Sequence, residues 1–138
     1  MIKEAYDKKL NEMKGQEVTM ENIFEGLIFR CSWGGMADYF EVIGKTAKSL
    51  KLREIQWETC ANPDPNDDSF DPTYRWARIV RDEKGDTVPE LDFDGKEKIK
   101  MVRVKTRKDG SIYFRSPNYD GAASVSVCWK DYMHMYWG

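Results

Sequence analysis

Residues 27–55, LIFRCSWGGMADYFEVIGKTAKSLKLREI, decide the fold. Leu27, Phe29, Cys31 and Trp33 alternate with Ile28, Arg30 and Ser32, the period of two that marks a strand with one face buried more deeply than the other. Gly34-Gly35 breaks it. Asp38 to Ile43 resumes extended structure, Gly44 to Lys48 supplies the next turn, and Leu50 and Leu52 lead a third strand. Ile55 and Trp57 fall on the opposite parity to Leu50 and Leu52, so a bulge is expected near Arg53-Glu54, as in sheets that curl toward a barrel.

On the N-terminal side, Ile2, Ala5, Tyr6, Leu10 and Met13 share one face at helical spacing while Lys3, Glu4, Asp7, Lys8, Asn11 and Glu12 lie elsewhere. An amphipathic helix is expected there, with its stripe packed on the sheet and Gly15 as its stop. Residues 19–22 read as a further short turn, so 1–25 form a helical segment ahead of an antiparallel β domain, 26–138.

On the C-terminal side, residues 58–73, ETCANPDPNDDSFDPT, hold three of the five prolines and no Lys or Arg, and read as an acidic loop. Asp64, Asp67, Asp68 and Asp71 make it a candidate contact surface for a basic partner. The alternation Asp64, Asn66, Asp68 invites a calcium reading, but Ser69 stands where the loop needs glycine and Arg75 where it needs a bidentate glutamate. Tyr74 to Val80 reads as a strand, Asp94-Gly95 as a tight turn, and Ile99 to Lys105 with Ser111 to Arg115 as two strands flanking Lys108-Asp109-Gly110. Ser124 to Trp129 alternates again, and the aromatic end suits either a last strand or a tail.

The length of 138 residues fits a single domain, and 41% hydrophobic residues suffice for one core. A formal net charge of -2 argues against a protein that grips nucleic acid with its whole surface. With a charged N-terminus and no long apolar run, no membrane span is expected and the protein is read as cytoplasmic. Cys31, Cys60 and Cys128 are odd in number and far apart, a poor disulfide framework, and with His134 they lack the close knuckle spacing of a zinc site. Neither a metal nor another cofactor is expected.

No phosphate-loop, dinucleotide-binding or nucleophile-elbow motif is present, and the carboxylates sit mostly in turns, where general acid and base work is weak. The expectation is a non-enzyme, with a metal-dependent or thiol enzyme as an alternative. The hairpin of residues 99–115 is the best binding candidate, because Lys100, Arg103, Lys105, Arg107, Lys108 and Arg115 surround Tyr113 and Phe114. Such a ribbon suits a nucleic-acid backbone or the acidic groove of a nucleic-acid-handling protein. Alternating Lys and Arg also guard exposed edge strands, which is the structural alternative.

Ser32-Trp33-Gly34, Tyr39-Phe40-Glu41-Val42, Thr46-Ala47-Lys48-Ser49 and Arg53-Glu54-Ile55 together resemble a family of small phage- and plasmid-borne proteins. Weaker similarity continues through Val88-Pro89, Phe93, Gly95 and the region of Trp129, while the loop after Glu58 reads as an insertion. The resemblance implies a mobile-element origin, a bacterial host cell and a mostly antiparallel sheet, but no activity. The combined expectation is an α+β, mostly β fold, with an N-terminal helix on a curved antiparallel sheet or small SH3-like barrel. The expected role is that of a non-enzymatic binding protein that occludes a surface of a host protein or nucleoprotein complex, an anti-CRISPR-like inhibitor being its sharpest form. A nucleic-acid-binding module built on the hairpin is the alternative.

Overall fold

The computed structural model describes residues 1–61 and 76–134. Among the described residues one helix, α1 (Lys3–Met13), precedes ten strands: β1 (Ile28–Trp33), β2 (Met36–Lys45), β3 (Ser49–Ile55), β4 (Trp57–Cys60), β5 (Trp76–Ile79), β6 (Ile99–Arg103), β7 (Lys105–Thr106), β8 (Ile112–Tyr113), β9 (Ser124–Val127) and β10 (Tyr132–His134). They form an antiparallel five-stranded sheet in the order β6-β3-β2-β1-β9, a three-stranded sheet β10-β5-β4 and the pair β7-β8. The fold is mostly β α+β, and its sheets stay open, so the barrel alternative is replaced by two layers.

β1 and β2 join through Gly34-Gly35, with Trp33 opposite Met36. Both glycines have positive φ, 50° and 83°, as the type I′ turn of a tight hairpin requires. β2 then runs two residues further than its sequence pattern suggests, through Gly44-Lys45, before Thr46 N–H donates to Ser49 O at 2.9 Å to close the turn. β2 is the central strand, and Tyr39, Phe40, Glu41 and Val42 are all buried because both faces of the sheet are covered there.

The parity change ahead of Trp57 has a different cause from the expected one. β3 pairs without interruption from Ser49 to Arg53 with β6, and the bulge lies in β2, between Val42 and Gly44. Leu50 and Leu52 face one layer, while Ile55 shares the opposite face with its register partner Tyr39. Trp57 continues into the second sheet and its ring lies 5.8 Å from that of Tyr39. The chain thus changes sheets at Gln56, whose N–H donates to Val88 O at 2.8 Å.

The Phe40 face of the main sheet is covered by the segment after β7. Phe114 meets Phe29 edge-on at 5.2 Å, and Asn118 Nδ2 donates to Asp38 at 2.8 Å and to Glu54 at 2.7 Å. The Tyr39 face is covered by α1 and the smaller sheet. Tyr6, Leu10 and Met13 carry the buried stripe of α1, and the Tyr6 hydroxyl donates to Cys128 O at 2.7 Å and accepts from Ile28 N at 3.3 Å. The helix therefore packs on the sheet, through a stripe narrower than the one read from sequence, since Ile2 is exposed. Where the Tyr39 face passes from β2 to β3, Glu41 is 2% exposed, accepts from Arg53 Nη2 at 2.6 Å and from Thr87 Oγ1 at 2.6 Å.

Two further expectations are corrected. Residues 58–60 are not loop: Glu58 lies opposite Arg78 in β4–β5 and ion-pairs with it. The single long hairpin of residues 99–115 is divided, because β6 pairs with β3 and only β7 and β8 pair with each other. The break falls at Val104, whose N–H donates to Lys48 O at 2.8 Å and whose side chain is buried. The aromatic end contributes a true strand, since β10 pairs with β5. Asp64, Asp67, Asp68 and Asp71, with the calcium reading that used them, lie outside the described residues.

Candidate basic and aromatic interface

The turn at Lys108-Asp109-Gly110 forms where the sequence places it. Arg107 N–H donates to Ser111 O at 2.8 Å, and Gly110 N–H to Arg107 O at 3.0 Å. The Asp109 carboxylate accepts from Ser111 Oγ at 2.6 Å and from Ser111 N at 2.9 Å. These bonds, the hydroxyl's first, hold the Asp109 carboxyl below its ordinary pKa.

Alternation then sorts the residues of β8 and its extension. Ile112 and Phe114 are buried, Tyr113 and Arg115 exposed. Ile112 N–H donates to Val18 O at 3.0 Å, so the hairpin is tied to the segment that follows α1. Burial of a phenylalanine such as Phe114 contributes about 2–3 kcal/mol, which fixes the outward direction of its neighbours.

Arg103, Lys105, Tyr113 and Arg115 meet around a cleft of about 320 Å³ whose lining also includes Met101 and Phe114. Tyr113 is 38% exposed and Met101 59%. Arg107 lies over the Tyr113 ring, its guanidinium carbon 4.7 Å from the ring centre, within cation–π range. Among the described residues no carboxylate lies within ion-pairing distance of any of these four cations, in contrast to Arg53, Arg78 and Arg81, which are all paired.

Two sequence candidates stand apart from the cleft. Lys100 shares the face of Val102, opposite to Arg103, and Lys108 sits in the turn beyond the cleft. Phe114 belongs to the core and contributes only the cleft floor. Met101 was missed as a site residue, although it has the parity of Arg103 and Lys105 in the run IKMVRVK and could have been read from that alternation.

The thiols are separated in character. Cys31 and Cys128 are buried and Cys60 is partly exposed at the end of β4. Burial pushes the Cys31 thiol up to about 12 and raises that of Cys128 as well. No group of three or more His, Cys, Asp or Glu side chains that could hold a metal occurs among the described residues, and no helix is long and apolar enough to cross a membrane.

No family model, no curated protein and no solved structure matches the chain.

Proposed function

We propose that this chain is a non-catalytic binding protein of a phage or other mobile element that occludes an acidic surface of a host macromolecule, as an anti-CRISPR-like inhibitor does. The observation that carries the reading is the cleft in which Arg103, Lys105 and Arg115, unpaired with any described carboxylate, stand beside exposed Tyr113 and Met101. Edge protection needs charge alone. It does not call for an exposed aromatic and a methionine set between the cations, which is the composition of an interface core with a basic rim. A protein partner suits the cleft because the chain's own net charge of -2 leaves no broad cationic field around it. The mobile-element origin rests on the sequence pattern within residues 32–55.

The test is capture from bacterial host lysate by the wild-type chain and by Arg103→Glu/Lys105→Glu, with circular dichroism to confirm an unchanged fold. Specific recovery of a nucleic-acid-handling complex, weakened at least about tenfold by the double variant, is expected for a charge-complementary interface. Equal recovery by both chains, or none by either, overturns the reading.

Exposed Tyr113 also favours a second reading, direct binding of single-stranded nucleic acid, since a base can stack on its ring. Contact by Arg103, Lys105, Arg107 and Arg115 then predicts a slope of log affinity against log salt of about -3 for a single strand. A titration that finds no binding removes it.

A further inference from the structure

The geometry points to a second site, for a phosphate monoester, at the opposite edge of the main sheet from β6. Arg30 and Ser32 of β1 lie directly opposite Ser126 and Ser124 of β9, so one polar patch forms on the Tyr39 face at this edge. Arg30, Ser32 and Ser124 line a cavity of about 390 Å³ closed on one side by the Gly34-Gly35 turn. At Gly34, Gly35, Ala122 and Ala123 the rim carries no side chain or only a methyl group, so a ligand can approach the backbone closely there.

Arg30 is the decisive residue. No carboxylate among the described residues lies within ion-pairing distance of it, and its buried Nε has no hydrogen-bond partner in the protein. Nearby Tyr39 offers a hydroxyl that is itself buried without a hydrogen bond of regular geometry, and a phenol does not neutralise a guanidinium. A half-buried cation with no acid beside it, sharing the lining of a cavity with Ser32 and Ser124, is an arrangement that accepts a phosphoryl oxyanion, for which the guanidinium fork is suited. The cavity exceeds the size of the anion alone, and Trp33 and exposed Met36 border it. Trp33 is held in place by stacking on Tyr119 at 4.9 Å. Trp33 and Met36 belong to the Phe40 face, and where the hairpin ends they border the cavity with apolar surface for the group that carries the phosphate.

Titration calorimetry with inorganic phosphate and with phenyl phosphate tests the site on the full chain. Saturable binding of both is expected, with phenyl phosphate about tenfold tighter and Arg30→Gln weakening each by about tenfold or more. Ser32→Ala/Ser124→Ala keeps the test open if Arg30→Gln does not fold, and it is expected to weaken both ligands severalfold. Absence of saturable binding by the wild-type chain, or binding unchanged in a folded variant, overturns the site. Equal affinity for the two ligands overturns the part assigned to Trp33 and Met36.

Discussion

Glu41 shows how a single residue couples the two layers. Its carboxylate is buried, and Arg53 from β3 and Thr87 from the connection after β5 both donate to it. Arg53→Met removes the counter-charge and leaves the carboxylate in the interior, a change expected to cost about 3 kcal/mol in urea unfolding. Arg53→Met combined with Glu41→Leu is expected to recover most of that loss, because no uncompensated charge remains. Asp109 gives a pH effect of known sign. Its folded pKa is depressed by the Ser111 hydroxyl and amide, so its contribution is complete above the unfolded carboxyl pKa of about 3.9 and is lost as pH falls through the folded value. Carboxyl NMR titration is expected to find Asp109 below the unfolded carboxyl value, and Ser111→Ala to return it toward that value. The thiols differ in access: one of the three, Cys60, is expected to react with a disulfide reagent in the native state, slowed because burial raises its pKa, and all three after unfolding. At this scale the sequence was only partly readable. Arg107, Tyr113 and Arg115 could be named from composition, but whether a cation is paired depends on which acid folding brings near: Arg53, half-buried in an inner strand, meets Glu41, while Arg103, exposed on an edge strand, meets no described carboxylate.

Elements were more legible than their partners. The alternation in residues 27–55 and the glycine turn identify β1, β2 and β3 because consecutive antiparallel strands pair through short turns, and the pattern and the pairing coincide. β6 and β9 were equally visible as strands, yet their neighbours β3 and β1 are remote in sequence, and no local signal states such a pairing. For that reason the basic run 99–115 reads as one hairpin when half of it belongs to the main sheet. The change of sheets at Gln56 produced a parity shift that looked like a bulge, although the bulge is in the facing strand. The β7–β8 hairpin supplies the element's own test. Gly110 has φ +88°, so Gly110→Ala forces an alanine into the left-handed region and is expected to cost about 1 kcal/mol. The loss should appear locally, as faster amide exchange in residues 105–113 and weaker binding of the partner at the cleft, with little change in β1–β3.

For the whole molecule, the order β6-β3-β2-β1-β9 sets a gradient of protection. β2 has strands on both sides and cover on both faces, so its amides are expected to exchange slowest, with β7, β8 and β10 fastest, in hydrogen-exchange mass spectrometry. Equal protection throughout would contradict this ordering. Segregation of the cleft and the Arg30 cavity to opposite edges of the sheet means that the two can be occupied together, and the variants that probe one are expected to leave the other intact. The same strand order has a consequence for synthesis. The central three strands are contiguous in the first half of the chain, whereas both flanking strands come from the second half. A ribosome therefore releases a meander capable of pairing with itself before either edge is available, and its two outer ladders stay exposed until the distal residues emerge to seal them.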